Sequence, residues 1–114
     1  MTEQYCTKLT SSGATVLMAT GRLNFPDVEG LRQQLDSLVD SGAIRVVVDL
    51  SGVEAIDSSG VGALISGLKS ARSAGGDLRL AAPPGAVASI LDIMNLDGVL
   101  IAHNSSEDAF PHAV

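Results

Sequence analysis

Cysteine and aromatic side chains are scarce in this sequence of 114 residues. Cys6 is the single cysteine, so no disulfide can form within the chain and a cysteine-based metal site is excluded. Aromatic residues make up 3% of the chain and tryptophan is absent, which leaves little to stack against the bases of single-stranded nucleic acids. The 46% of hydrophobic residues still predicts a packed core, built from Val, Leu, Ile, Ala and Met.

Positive charge is also scarce. Seven Lys and Arg stand against thirteen Asp and Glu, which gives a net charge of −6. Because nucleic acids and anionic membranes attract clustered basic residues, neither is an expected partner. The apolar stretches are far shorter than the roughly 20 residues that span a bilayer, and no signal-peptide pattern opens the chain. The sequence therefore predicts a cytoplasmic protein without membrane insertion.

The motif of a serine hydrolase is missing around Ser58. The pattern Gly-x-Ser-x-Gly fails because Ile56 occupies its first glycine position when Ser58 is centred. The two histidines, His103 and His112, lie near the C-terminus. They could serve as a catalytic base only if the fold brought them back to Ser58.

Two nucleotide-binding patterns fail as well. Residues 62–70 (GALISGLKS) approach a phosphate-binding P-loop but place Leu68 where lysine belongs. A dinucleotide-binding fingerprint that begins at Gly60 has Ile65 in place of its third glycine. We therefore predict a protein that is not an enzyme and that uses no cofactor and no metal ion.

Apolar periodicity divides the chain into alternating strands and helices. Strands are predicted at residues 5–9, 14–20, 44–50, 77–82 and 99–102. Helices are predicted from residues 26–27 to a cap at Gly42, over residues 58–74, and after residues 83–85, with a final turn capped by Ser105 or Ser106. No repeat or linker interrupts this pattern, so residues 1–114 are predicted to form a single domain.

The order β-β-α-β-α-β-α-β predicts an α/β fold. It indicates a mixed, mostly parallel sheet with an N-terminal antiparallel hairpin and with helices packed on the sheet. Residues 44–50 (IRVVVDL) are apolar on both faces, as expected of a central strand. Functional sites in such sheets gather where strands end and helices begin, which here points to residues 51–60.

The segment 57–60 (DSSG) has an ordinary structural interpretation. Ser58 can cap the following helix, worth about 1 kcal/mol, and Asp57 suits the positive end of the helix dipole. Gly60 and Gly62 are harder to explain, because each lowers helix stability by up to about 1 kcal/mol relative to Ala. Bare backbone there lets a partner approach closely or presents N–H groups to an anion. From the residues alone, capping is favoured over signalling.

A resemblance to a known family changes that order. Residues 46–62 (VVVDLSGVEAIDSSGVG) resemble the signature of the anti-sigma-factor antagonist family, the bacterial STAS domains. In that family a central strand ends in a short loop, and an Asp-Ser-Ser/Thr-Gly segment opens the next helix. The similarity extends from residues 21–23 through residues 75–76 to residues 94–101, which is nearly the whole chain.

The resemblance implies a phosphorylation switch that regulates transcription. Members of the family bind an anti-sigma factor, often itself a serine kinase, and so release a sigma factor. The kinase phosphorylates the serine directly after the aspartate, here Ser58 and less favourably Ser59. Phosphorylation ends the binding, and a phosphatase resets the protein. The residues expected to bind the partner are Asn24, Asp57, Ser58, Ser59, Gly60 and Gly62.

One turn departs from the family's pattern. Many members carry Gly-Glu-Leu-Asp where this chain has residues 21–24 (GRLN). Asn24 can form hydrogen bonds with a partner but brings no charge to a basic one. Asp27, three residues further on, is expected to cap its own helix. The difference concerns the identity of the partner.

Two other functions stay open. The chain could be an architectural STAS subunit of a transport ATPase or of a signalling assembly, in which Ser58 is only a helix cap. It could also be an enzyme with Ser58 as its nucleophile, which the missing motif disfavours. The sequence leaves the oligomeric state open between a monomer and a weak dimer.

Overall fold

The computed structural model describes residues 4–96 and 98–110. Strands and helices alternate along this part of the chain in the predicted order. The strands are β1 (Tyr5–Leu9), β2 (Thr15–Leu23), β3 (Arg45–Ile56), β4 (Asp77–Ala81) and β5 (Ala102–His103). The helices are α1 (Val28–Asp40), α2 (Ser58–Ser73), α3 (Gly85–Ile93) and α4 (Ser106–Ala109).

The five strands form one sheet in the order β1-β2-β3-β4-β5. β1 and β2 are antiparallel, and every other neighbouring pair is parallel. β3 lies at the centre, where Val47 is paired with Val16 of β2 and with Arg79 of β4. The predicted α/β fold, with its N-terminal hairpin and mostly parallel sheet, is confirmed.

Both faces of the central strand are covered. Val46 and Val48 face the core shared with α1, α2 and α3, whereas Val47 faces the other side of the sheet. There Phe110 closes a smaller core, and the guanidinium of Arg79 lies 4.2 Å from the centre of its ring. The three valines are fully buried, which explains why residues 46–48 are apolar at consecutive positions.

β3 is longer than the sequence predicts. It continues past Leu50 to Ile56, because Gly52 and the residues after it pair with the end of β2 from Thr20 to Leu23. Two irregularities in register accompany this pairing, and Gly21 beside the second has a φ of +77°. The predicted end of the strand at residue 50 is therefore wrong, and Asp57 alone separates β3 from α2.

The C-terminal elements differ slightly from the prediction. Residues 99–100 form a turn in which the N–H groups of Val99 and Leu100 donate to the carbonyl of Leu96, so the last strand begins only at Ala102. The hydroxyl of Ser105 accepts the N–H of Asp108, which confirms one of the two predicted caps of the last helix. No helix within the described ranges is long and apolar enough to cross a membrane.

Candidate functional site

Helix α2 is capped by Asp57, not by Ser58. Asp57 has an extended backbone (φ −116°, ψ −175°), and its Oδ1 accepts the N–H of Gly60 at 3.0 Å. Because Asp57 is the last extended residue before the helix, it holds the N-cap position and Ser58 is already the first helical residue. The predicted capping role of Ser58 is therefore wrong.

The second carboxylate oxygen of Asp57 fixes the turn that follows β2. Its Oδ2 accepts the N–H of Phe25 at 3.1 Å, while the N–H of Asp57 donates to the carbonyl of Leu23 at 3.3 Å. The N–H groups of Gly60 and, next, Phe25 hold the pKa of this carboxyl below its ordinary value. Asp57 is thus ionised at neutral pH and ties the turn at residues 23–25 to the start of α2.

The two serines after Asp57 lie at the surface. Ser58 is exposed and Ser59 is half-buried. The hydroxyl of Ser58 has no hydrogen-bond partner among residues 4–96 and 98–110. With the cap supplied by Asp57, the folded chain leaves this hydroxyl accessible to another molecule.

Gly60 allows a close approach inside the protein. A Cβ at this position would lie 2.1 Å from the carbonyl oxygen of Leu23 and 2.7 Å from Cγ1 of Ile56. Real Cβ atoms do not approach so closely, so any side chain here would push α2 away from β2. Gly60 is buried, and its missing side chain makes room for the end of β2 rather than for a partner.

At position 62, no close contact inside the described part of the protein requires glycine. A Cβ there would meet only Nη2 of Arg32, at the ordinary contact distance of 3.7 Å. The residue is half-buried, on the same side of α2 as Ser58 and one turn further along. Its bare backbone therefore contributes to the surface beside Ser58.

The turn after β2 brings a hydrophobic side chain to this surface. Asn24 is half-buried and its carbonyl accepts the N–H of Asp27 at 2.8 Å. Phe25 is 74% exposed, although aromatic residues are scarce in the chain. Asp27 stands at the N-cap of α1, yet its side chain makes no capping hydrogen bond, so the capping role predicted for it is wrong.

Two comparisons with known proteins identify the family of this chain. Residues 6–102 match the family described as "Mlab, STAS domain". A Thermotoga neapolitana protein named "Putative anti-sigma factor antagonist TM1081 homolog" is 30% identical over 95 residues, which cover 82% of this chain and 84% of that protein. The chain belongs to the STAS domain family of anti-sigma-factor antagonists.

Solved STAS structures share the architecture. The crystal structure of the Thermotoga maritima protein tm1081 superposes with a TM-score of 0.83 at 27% identity, covering 92% of this chain and 90% of that one. The phosphorylated form of the Bacillus protein SpoIIAA superposes with a TM-score of 0.67 and covers 91% of this chain and 95% of that one. At 18% identity, the second likeness shows a common fold alone.

In this STAS domain the predicted site residues meet at one end of the sheet. Asp57 joins the turn carrying Asn24 to the start of α2, and Ser58, Ser59 and Gly62 line that start. Sequence reasoning missed Phe25. The one available signal was the placement of a rare aromatic residue directly after Asn24.

The histidines add no support to a nucleophilic role for Ser58. His103 lies on β5, two strands away from β3 in the sheet. His112 lies outside the described residues. Within the described part of the chain, no group of three His, Cys, Asp or Glu residues could hold a metal ion.

Proposed function

We propose that this STAS domain binds an anti-sigma factor and thereby releases a sigma factor, and that phosphorylation of Ser58 ends the binding. The contact would use a docking surface formed by Asn24, Phe25, Ser58, Ser59 and Gly62. One observation carries the proposal. Asp57 caps α2, and the exposed hydroxyl of Ser58 is left without an internal role.

The docking surface has the features of a protein contact. Phe25 offers a large apolar side chain, of the kind that dominates binding energy when a partner covers it. Gly62 lets a partner backbone come close to α2. Asp57 and Gly60 lie beneath this surface, and we assign them the task of holding its two segments together.

Phosphorylation would act at the middle of this surface. In the transfer, Ser58 Oγ attacks the γ-phosphorus of ATP held by the kinase, the bond to the bridging oxygen breaks, ADP leaves, and a kinase base takes the hydroxyl proton. The product carries about −1.5 to −2 charges at neutral pH. The helix dipole favours this charge, whereas the ionised Asp57 opposes it. Because these effects partly cancel, we expect the fold to persist and the partner contact to fail.

Several parts of this proposal come from the family. We infer that the anti-sigma factor is itself the serine kinase, that a phosphatase restores Ser58, and that the exchange takes place in the cytoplasm. The phosphorylated form of SpoIIAA supports the idea that a protein of this fold can carry a phosphate.

The test locates phosphate by mass spectrometry and measures partner binding by pull-down. The protein is incubated with ATP and a lysate of its own cells, and we expect phosphate on Ser58 and its loss in Ser58→Ala. Ser58→Asp should release the partner recovered by pull-down, whereas Ser73→Asp, at an exposed serine on the last turn of α2, should retain it. Absence of phosphate from both serines would contradict the proposal, as would undiminished binding by Ser58→Asp.

A second apolar surface favours the architectural alternative. Leu91, Leu100 and Ile101 line a groove of about 190 Å³ beside α3, and Ile101 is 40% exposed. Exposed apolar patches of this kind mark contacts with other proteins. In an architectural subunit of a transport ATPase or signalling assembly, this patch would be covered permanently and Ser58 would stay unmodified. A pull-down that recovers a transport ATPase rather than a kinase would select this alternative.

A further inference from the structure

Arg32 reaches from α1 across the exposed face of α2. Its Nη1 donates to the hydroxyl of Ser66 at 3.1 Å, and its Nη2 lies 3.7 Å from where a Cβ of Gly62 would stand. The guanidinium therefore lies beside Gly62, held on the Ser66 side of it by this hydrogen bond. The residue is half-buried, so part of its charge is held away from bulk water.

The guanidinium of Arg32 keeps unused capacity for an anion. The ion pairs found in residues 4–96 and 98–110 join Arg72 and Arg79 to Asp77, and Arg32 takes part in none. A guanidinium has five N–H donors, and the hydroxyl of Ser66 accepts one of them. Arg32 also lines a groove of about 220 Å³ between α1 and α2, which includes Asp36 at its edge.

Ser58 lies within reach of this guanidinium. Ser58 and Gly62 are four residues apart on α2, so their Cβ positions lie on one side of the helix at about 5–6 Å. Because Gly62 has no side chain, none projects from α2 at the position between Ser58 and Ser66, the residue that Arg32 contacts. Phosphate is the anion that a planar, always-charged guanidinium binds well, through two parallel N–H···O bonds.

We propose that Arg32 binds the phosphate of phosphorylated Ser58. When Ser58 is phosphorylated, the guanidinium of Arg32 leaves the hydroxyl of Ser66 and binds the phosphate instead. The bound phosphate and the guanidinium then lie over Gly62. The phosphate and Arg32 then cover the backbone that the partner needs, so the switch works by occlusion as well as by charge. Arg32 is a positioning residue in this scheme, which rests on the proposed function for Ser58.

The test uses the full chain with phosphoserine placed at position 58 during translation, so that no kinase is needed. Phosphorus NMR follows the second ionisation of the phosphate between about pH 4 and pH 8, around its usual midpoint near 6. Arg32→Gln should lower the acid dissociation constant roughly 3- to 10-fold, because the guanidinium favours the doubly charged phosphate. Lys69→Gln is the matched control. It removes one positive charge from an exposed site on α2, about 16 Å along the helix from Ser58. The acid dissociation constant of the phosphate should change little.

A second measurement does not depend on a variant. In the unmutated chain, the Nε–H resonance of Arg32 should move when serine at position 58 is replaced by phosphoserine. An unmoved resonance overturns the inference, and so does an equal effect of Arg32→Gln and Lys69→Gln. Absence of phosphate on Ser58 in lysate would instead refute the proposed regulation, and it leaves this measurement unaffected because the phosphate is installed synthetically.

Discussion

Replacement of Gly62 by alanine should raise the stability of the protein and lower the affinity of its docking surface for the partner. Glycine inside a helix lowers stability by up to about 1 kcal/mol relative to alanine. The added methyl group meets only Arg32, at 3.7 Å, so no clash offsets this gain. For a domain of this size, a gain of 1 kcal/mol corresponds to a rise in Tm of about 4 °C. Calorimetry of the wild type and Gly62→Ala measures this difference in Tm directly.

The same substitution should weaken binding. The anti-sigma factor recovered by pull-down is titrated against both proteins, and we expect at least a tenfold loss of affinity, which is about 1.4 kcal/mol. Gly60→Ala is the contrasting variant, because its methyl group would lie 2.1 Å from the carbonyl oxygen of Leu23. Overpacking of this kind lowers stability by about 1–3 kcal/mol or more. A fall in the Tm of Gly62→Ala, or unchanged affinity, would refute the assignment of Gly62 to the docking surface.

Two further predictions concern the turn and its anchor. The folded protein holds the pKa of Asp57 below its unfolded value, so this carboxylate stabilises the fold above that value and stops doing so as the pH falls through the folded pKa. Urea unfolding of the wild type and Asp57→Asn should therefore differ at pH 7 and converge in strong acid, and a gap that persists there would contradict the assignment. Phe25→Ala should leave the unfolding free energy within about 0.5 kcal/mol, since its ring is exposed, yet reduce partner affinity tenfold or more. Exposed Leu9 offers the matched control in Leu9→Ala, and equal effects of the two on binding would remove Phe25 from the docking surface.

The fold could be predicted because its main signals are local. Residues 46–48 are three consecutive valines, as expected of a strand covered on both faces, and the short joint at residues 11–13 indicates a hairpin. The extension of β3 through residues 51–56 has no such signal, because these residues are small or polar in part. Their strand conformation comes from pairing with β2 past Gly21, which is a tertiary effect.

The site residues could be predicted more readily than their roles. Aspartate and serine are both good N-caps, so residues 57 and 58 compete for one position. The pairing of Leu23 with Ile56 carries β3 up to residue 56, which leaves Asp57 as the last extended residue. Phe25 could not be predicted because its turn is joined to the start of α2 by the hydrogen bond from its N–H to Asp57, which is a tertiary contact.

The one-residue difference in the cap bears directly on the proposed switch. A serine that capped α2 would have to give up its bond to the helix when it became phosphorylated, and the change would loosen α2 itself. In this structure Asp57 carries the cap and the contact to the turn, so modification of Ser58 removes no hydrogen bond from the described fold. Under the proposed function, the structural role falls on Asp57 and the regulatory role on the adjacent Ser58. If Ser58 is phosphorylated as proposed, we expect the sheet and helices to stay folded through repeated addition and loss of the phosphate, so that partner binding alone changes with the state of Ser58.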